Sequence, residues 1–305
     1  LNQTPSLPWG GKVTDVFRVA YRAMLDSGTE RTLNCAIIPP GVSHINGIRS
    51  YSFKSNFATA FISGLHSSVI YDFLIKSTGK QNLHQILDGM PLVEPNEEDA
   101  LHILIAKKSL ELNAVSVYYK AMTEEFSDKF GSLTPELNPL KRRKILVEND
   151  VLVSLLFRLD LDDLCTIFRN EFWVLVQNER ETWYDVDGQI IFTPSKGLVG
   201  VGLPRKVSRN DDPVTIEYPD GRQEQKPLGW EDIAPQLIET EDGSIEQRQQ
   251  LPDGTKIHRT VIDDTLPGGP RQKTITYVAP FYLPNREEDY RVAWEVFSER
   301  FKENA

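Results

Sequence analysis

The strongest constraint on the fold is a change of sequence character near residue 180. Before this point, apolar residues recur at helical spacing in several long segments; after it, short β-prone runs alternate with Asp-Gly pairs. An Asp-Gly pair between two extended runs is typical of a hairpin turn, because glycine readily adopts the positive φ that such turns require. The 305 residues therefore predict an α+β protein in which a largely helical part precedes a β-rich part.

The chain divides on this basis into three predicted segments. Residues 1–95 form a mixed α/β module, residues 96–180 a helical segment, and residues 181–305 a smaller β-rich domain closed by a C-terminal helix. In the first segment, a helix is predicted by the spacing of Val16, Val19, Ala20 and Ala23. The stretches "RTLNCAIIPPG" and "IRSYSF" predict strands, and a long helix follows Ser55.

Charge and cysteine content limit the classes of partner and compartment. The net charge is −10, but residues 211–305 hold 20 acidic and 11 basic residues, so the preceding two thirds are close to neutral and can carry a positive face. No apolar run approaches the roughly 20 residues of a membrane span. Cys35 and Cys165 lie far apart in apolar surroundings, which favours two buried thiols in a reducing cytoplasm over a disulfide.

A polar loop between the two predicted strands is the first candidate binding segment. Its sequence, "GVSHINGIRSYSFKS", offers side chains of the types that hydrogen-bond base edges and phosphates. The candidate residues are His44, Asn46, Arg49, Tyr51 and Lys54. The alternative is a polar connection between strands in which His44 caps a turn.

The second candidate is the basic, turn-rich stretch "IFTPSKGLVGVGLPRK" at residues 191–206. Its glycines lead into "LPRK" rather than a helix and so do not satisfy the dinucleotide-binding fingerprint, and the G-K-[ST] ending of a P-loop is missing. Lys196, Arg205 and Lys206 are candidate phosphate contacts, with a solvated surface as the alternative. The run "KRRK" at 141–144 opens a helix and has the same two interpretations.

The sequence contains no recognisable catalytic constellation. No serine lies in a G-x-S-x-G elbow, and the five histidines have no repeated carboxylate spacing. An independent hydrolase in the β-rich part therefore has no support from the sequence.

Several stretches together resemble one protein family. They are "FRVAYRAM…TERTLNCAIIPPG", "SSVIYDFLIKSTG…LHQILDGMPLVEP", "ENDVLVSLLFRLDLDDLCTIFRNEF", "ERETWYDVDGQIIFTPSKGLVGVGLPRK", "DDTLPGGPRQKTITYVAPF" and "NREEDYRVAWEVFSERF". In number and order, they are similar to the C-terminal region of large bacterial adenine-specific DNA methyltransferases of the type II restriction-modification and phage-defence kind. This resemblance covers nearly the whole chain.

The resemblance implies a target-recognition-like module near the N-terminus and a role in DNA recognition. In such enzymes, an upstream domain binds S-adenosylmethionine and holds a flipped adenine, while recognition contacts elsewhere choose the site. The family's [DNS]-P-P-[YFW] motif is missing here, since the only Pro-Pro pair follows Ile38 and precedes Gly41. We therefore expect no cofactor in this chain, with S-adenosylmethionine bound by a domain upstream of Leu1.

The expected function is non-catalytic DNA recognition beside an N6-adenine methyltransferase domain. The expected partners are double-stranded DNA, that upstream domain and, as a further class, proteins of a defence system. The alternative is a protein-docking module of a phage-defence complex, which the acidic segment 211–305 favours because DNA would repel it.

Overall fold

The computed structural model describes residues 4–84, 86–131, 133–195, 198, 201–208, 211–240, 243–263 and 269–301. It is an α+β protein whose described strands pair antiparallel, which confirms the predicted class. Internal contacts divide it into two compact units. The first unit comprises residues 1–137, 141–176 and 286–305, and the second unit comprises residues 138–140 and 177–285.

The first unit combines a three-stranded sheet with most of the helices. The sheet has the order β2-β1-β3. Its elements and those that lead into the second unit are β1 (Arg18–Arg22), β2 (Cys35–Ile38), β3 (Ile48–Ser52), α1 (Asn56–His66), α2 (Val69–Ser77), α3 (Ala100–Asn113), α4 (Lys120–Glu125), α5 (Ser127–Phe130), α6 (Pro139–Leu156), α7 (Leu161–Glu171) and α8 (Trp173–Glu179).

The prediction of a helix through Val16, Val19 and Ala23 is wrong, because this segment contains the central strand β1. Four of its five residues are buried, since β1 pairs with a neighbour on each side and is covered on both faces. A strand buried on both faces loses its alternation of polar and apolar residues and cannot be told from a helix by periodicity.

The helix predicted after Ser55 begins where expected but is broken into two. Ser55 caps α1 by accepting a hydrogen bond from the Ala58 amide. Ser68 caps α2 in the same way, accepting from the Tyr71 amide. The two helices bend by 69°, and only as a pair do they have the length and composition of a membrane span; within the described residues, no single helix does.

The second unit consists mainly of hairpins. Its strands are β4 (Trp183–Tyr184), β5 (Ile190–Phe192), β6 (Val214–Glu217), β7 (Gln223–Lys226), β8 (Gln236–Glu239), β9 (Ile245–Arg248), β10 (Lys256–Asp263) and β11 (Arg271–Val278). Four of them form a sheet of order β11-β10-β6-β7, and β4-β5 and β8-β9 form two-stranded ribbons. The glycine of each predicted Asp-Gly turn has a positive φ, as the hairpin pattern requires: Gly188, Gly221, Gly243 and Gly254.

The C-terminal helix α9 (Arg286–Arg300) forms as predicted but belongs to the first unit rather than to the β-rich domain. Arg286 and Tyr290 both bond the buried carboxylate of Asp150 in α6, at 2.8 and 2.7 Å. Phe297 packs in the apolar core of the first unit. The division 1–95, 96–180 and 181–305 therefore differs from the two compact units, because long-range packing assigns α9 to the helices that precede the hairpins.

Candidate functional site

A cleft of about 560 Å³ lies beside the sheet of the first unit. Residues that pair directly across antiparallel strands have side chains on the same face. The pairs Arg18 with Ser52 and Ala20 with Ser50 therefore place Arg18, Ser50 and Ser52 on one face of the sheet. All three of these polar residues line the cleft, together with the loop that joins β2 to β3.

Arg18 is the buried cation of this cleft, with only 2% of its surface exposed. Its Nη1 donates to Ser50 Oγ at 3.3 Å, and its Nη2 donates to the Val42 carbonyl. Its Nε is buried without a partner, and no carboxylate in the described part of the chain forms an ion pair with Arg18. Burial lowers the pKa of this guanidinium, which nevertheless remains protonated at neutral pH.

Ser50 connects Arg18 to His44. The hydroxyl of Ser50 lies 2.7 Å from His44 Nε2, so the imidazole lies at the cleft wall. His44 and Asn46 both line the cleft and are exposed, as are all residues of the loop 41–47. The structure therefore brings these two predicted contact residues to one surface, next to a buried positive charge.

The other predicted residues of this loop region do not all reach the cleft. Arg49 also lines the cleft, but its guanidinium reaches towards His84, with 3.4 Å between Arg49 Nη2 and His84 Nδ1. Tyr51 lies on the opposite sheet face, paired with Val19, and its hydroxyl donates to Asp88 Oδ1 at 3.4 Å. Lys54 is exposed beyond the end of β3.

The basic stretch of the second unit makes ion pairs of its own. Arg205 Nη2 lies 2.5 Å from Glu181 Oε2, and its guanidinium stacks over the Phe192 ring at 4.9 Å. Lys206 Nζ lies 3.5 Å from Glu231 Oε2. Lys196 lies outside the described residues. The two described cations therefore each face a carboxylate, which weakens the attraction that either exerts on a phosphate.

The glycines of the same stretch have a packing role where they are described. A side chain at Gly202 would place its Cβ 2.5 Å from the Ile191 carbonyl oxygen. The next residue, Leu203, donates its amide to that carbonyl at 2.8 Å and is buried in the core of the second unit. This part of the stretch is a tight turn packed against β5.

The basic run 141–144 is partly structural. Arg143 is 8% exposed and pairs with Asp289 in α9 at 2.6 Å. Arg142 donates to the carbonyls of Leu112 and Glu136. These two side chains tie elements of the first unit together, so neither is available as a free cation for DNA.

Sequence reasoning missed Arg18, the most unusual charged group of the cleft. It lies in the segment that periodicity assigned to a helix, where its pairing with β3 could not be foreseen.

Within the described residues, no group of three or more His, Cys, Asp or Glu side chains could hold a metal ion. Comparison with family models, curated proteins and solved structures gives no match for this chain.

Proposed function

We propose that this chain is a non-catalytic DNA-recognition module that acts beside an N6-adenine methyltransferase domain of a restriction-modification or phage-defence enzyme. The cleft of the first unit contacts the sugar-phosphate backbone and base edges of double-stranded DNA. S-adenosylmethionine and the catalytic motif belong to the upstream domain. The sequence resemblance motivates the methyltransferase partner, and the cleft motivates the DNA contact.

One observation carries this proposal: the cleft is lined by two arginines and a histidine and, among its described lining residues, by no carboxylate. The chain as a whole has 44 acidic and 34 basic residues, so a lining without acids stands out against the rest of the surface. An anion entering the cleft meets positive charge and hydrogen-bond donors without repulsion.

The state of Arg18 points the same way. A buried charge without an opposite charge is costly, and proteins ordinarily pair it. A phosphate at the cleft would supply the missing counter-charge. The exposed loop 41–47 adds His44 and Asn46, whose side chains can hydrogen-bond base edges or phosphate oxygens.

The test is a fluorescence-anisotropy titration of labelled duplex DNA against the whole chain at several salt concentrations. Arg49→Ala removes a charge at the cleft and should weaken binding and reduce the slope of log K against log salt by about one. Its matched control is Arg291→Ala, because Arg291 is an exposed arginine of the first unit that pairs with Glu288 on its own helix.

A second variant tests the hydrogen-bonding side chains of the loop. The double variant His44→Ala/Asn46→Ala should lower affinity, because both side chains can hydrogen-bond base edges or phosphate oxygens. Equal losses for Arg49→Ala and Arg291→Ala would reduce the effect to general electrostatics and refute the cleft as the contact. Absence of salt-dependent binding at low salt would refute DNA recognition by this chain.

A docking module of a defence complex is the second candidate function. The observation that favours it is a short apolar segment at the surface of the first unit, where Val117 and Tyr118 are 80% and 73% exposed. Large exposed apolar groups that adjoin one another are typical of protein contacts. If the chain fails to bind DNA, substitution of both residues by serine should weaken its association with the upstream domain.

A further inference from the structure

A second cavity lies on the other face of the three-stranded sheet, where the helices of the first unit pack. It has a volume of about 180 Å³. Half of its lining residues are aromatic and most of the others are aliphatic; the residues that matter here are Tyr21, Tyr51, Phe53, His66, Tyr71 and Asp88. Because Tyr51 and Val19 face one side of the sheet whereas Arg18 and Ser50 face the other, this aromatic pocket is separate from the cleft.

The aromatic walls are held in fixed relative positions. The rings of Tyr21 and Tyr51 meet edge to face, with centroids 5.7 Å apart and an interplanar angle of 87°. The imidazole of His66 stacks on Tyr71, with centroids 4.0 Å apart. The Tyr21 hydroxyl and His66 Nδ1 lie 2.7 Å apart and fix the orientation of the imidazole. A flat ligand therefore finds π faces already in place.

Two polar groups of the pocket keep hydrogen-bonding capacity for a ligand. His66 is 4% exposed, and its Nε2 has no hydrogen-bond partner among the described residues. Asp88 is exposed at the pocket, where its carboxylate accepts the Tyr51 hydroxyl and keeps further acceptor capacity. Burial lowers the pKa of His66 to about 3, so its imidazole is neutral at physiological pH and offers one nitrogen to a ligand.

We propose that this aromatic pocket binds one planar heteroaromatic ring of nucleobase size, stacked on Tyr51 and hydrogen-bonded by His66 Nε2 and the Asp88 carboxylate. The base comes either from a free nucleoside or from a nucleotide turned out of a DNA strand. This site goes beyond the proposed DNA contact and stands on a different set of residues.

Size and charge favour this occupant over others. A pocket of 180 Å³ is smaller than sites for drug-sized ligands, and an apolar cavity of about 150 Å³ is known to hold a single benzene ring. No lysine or arginine is among the described residues that line it, so the phosphate of a nucleotide has no cation inside and remains at the mouth. A nucleobase is a neutral ring with polar edges. Its faces can stack on the aromatic side chains of the pocket, and its edges can hydrogen-bond the neutral nitrogen of His66 and the carboxylate of Asp88.

The experiment uses the whole chain and two kinds of probe. The first arm measures binding of adenosine, guanosine, cytidine and thymidine by isothermal titration calorimetry. The second arm follows the fluorescence of 2-aminopurine placed in duplex DNA, which changes when the base leaves the stack. Tyr51→Leu removes an aromatic wall and the hydroxyl donor to Asp88, and Tyr51→Phe removes only the hydroxyl.

Tyr119→Leu is the matched control, because Tyr119 is also a half-buried tyrosine of the first unit but stacks on Phe17 away from the pocket. Loss of a stacking wall should weaken base binding at least about fivefold in Tyr51→Leu and leave it unchanged in Tyr119→Leu. Tyr51→Phe should retain most of the affinity. This pattern supports the proposal even if Tyr51→Leu lowers stability, since the phenylalanine variant keeps the ring.

The two arms also separate the sources of the base. A response to nucleosides alone identifies a free ligand, and a Tyr51-dependent 2-aminopurine response alone identifies a base of DNA. Nucleoside binding without any duplex binding would retain the pocket and reject DNA recognition. No Tyr51-dependent signal in either arm would overturn the pocket proposal, whether or not the chain binds duplex DNA through the cleft.

Discussion

Two arginines of the first unit, Arg18 and Arg31, allow the strongest test of the role assigned to Arg18. Arg31 Nε lies 2.7 Å from Asp72 Oδ2, and the Asp72 side chain is fully buried. Arg18 is only 2% exposed and has no carboxylate partner among the described residues. We therefore compare Arg18→Met with Arg31→Met, because methionine has a similar length and an adaptable shape but no charge.

The expected costs differ because of the group that each substitution leaves behind. Arg31→Met leaves the buried carboxylate of Asp72 without its cation, which typically costs about 3–5 kcal/mol. Arg18→Met loses hydrogen bonds to Ser50 Oγ and the Val42 carbonyl, each about 1 kcal/mol net, but it also removes the cost of burying an unpaired charge. Val42 is partly exposed, so water can replace the lost donor. We expect Arg18→Met to cost at most about 1–2 kcal/mol.

The assay is urea unfolding followed by far-UV circular dichroism, with hydrogen exchange of α1 peptides to assign the transition to the first unit. DNA affinity is measured on the same preparations. Arg18→Met should fold and lose at least about tenfold in affinity, the cost of one charge-assisted contact. If Arg18→Met destabilises the first unit as much as Arg31→Met and leaves DNA affinity unchanged, Arg18 is a structural cation and the reasoning is refuted.

Two further predictions concern α1. Gly64→Ala should destabilise the first unit by about 1–3 kcal/mol in the same urea assay, although alanine favours helices. The reason is that the new Cβ would lie 2.7 Å from both Cγ2 and the carbonyl oxygen of Ile105. An unchanged or higher stability would contradict the packing of α1 on α3. His66 should make stability fall by about 1.4 kcal/mol per pH unit as the pH drops from about 6.5 towards 3, because its folded pKa is about 3 and only the unfolded chain takes up the proton. His66→Asn should remove this part of the pH dependence while Tyr21, Tyr71 and Asp88 remain in place, and an unaltered slope would contradict the burial of His66.

Local signals in the sequence were sufficient for elements whose ends are set by neighbouring residues. The hairpin turns of the second unit follow their Asp-Gly pairs. α7 begins at Leu161, directly after Asp160, whose carboxylate accepts a hydrogen bond from the Asp163 amide. α6 begins at Pro139, which suits the first position of a helix because its nitrogen carries no N–H. In each case, the interaction that decides the structure spans only a few residues.

Long-range interactions set the features that the sequence did not reveal. β1 is a strand because two other strands pair with it, and α9 joins the first unit because Arg286 and Tyr290 meet Asp150, more than 130 residues away in the chain. The candidate site also depends on a long-range interaction that the sequence does not reveal. The composition of the loop indicated His44 and Asn46, but only the pairing of β1 with β3 brings Arg18 beneath them.

Arginines of the first unit differ in whether the fold supplies them with a carboxylate partner. Arg31 has Asp72, and Arg286 has Asp150, so the fold itself compensates the desolvation of both guanidiniums. Arg18 lies in the same unit but faces a cleft with carbonyl and hydroxyl partners instead of a carboxylate. The chain has an excess of acidic residues, yet none of the described ones pairs with Arg18. We therefore propose that a ligand with its own negative charge compensates Arg18, and the phosphate backbone of DNA is such a ligand.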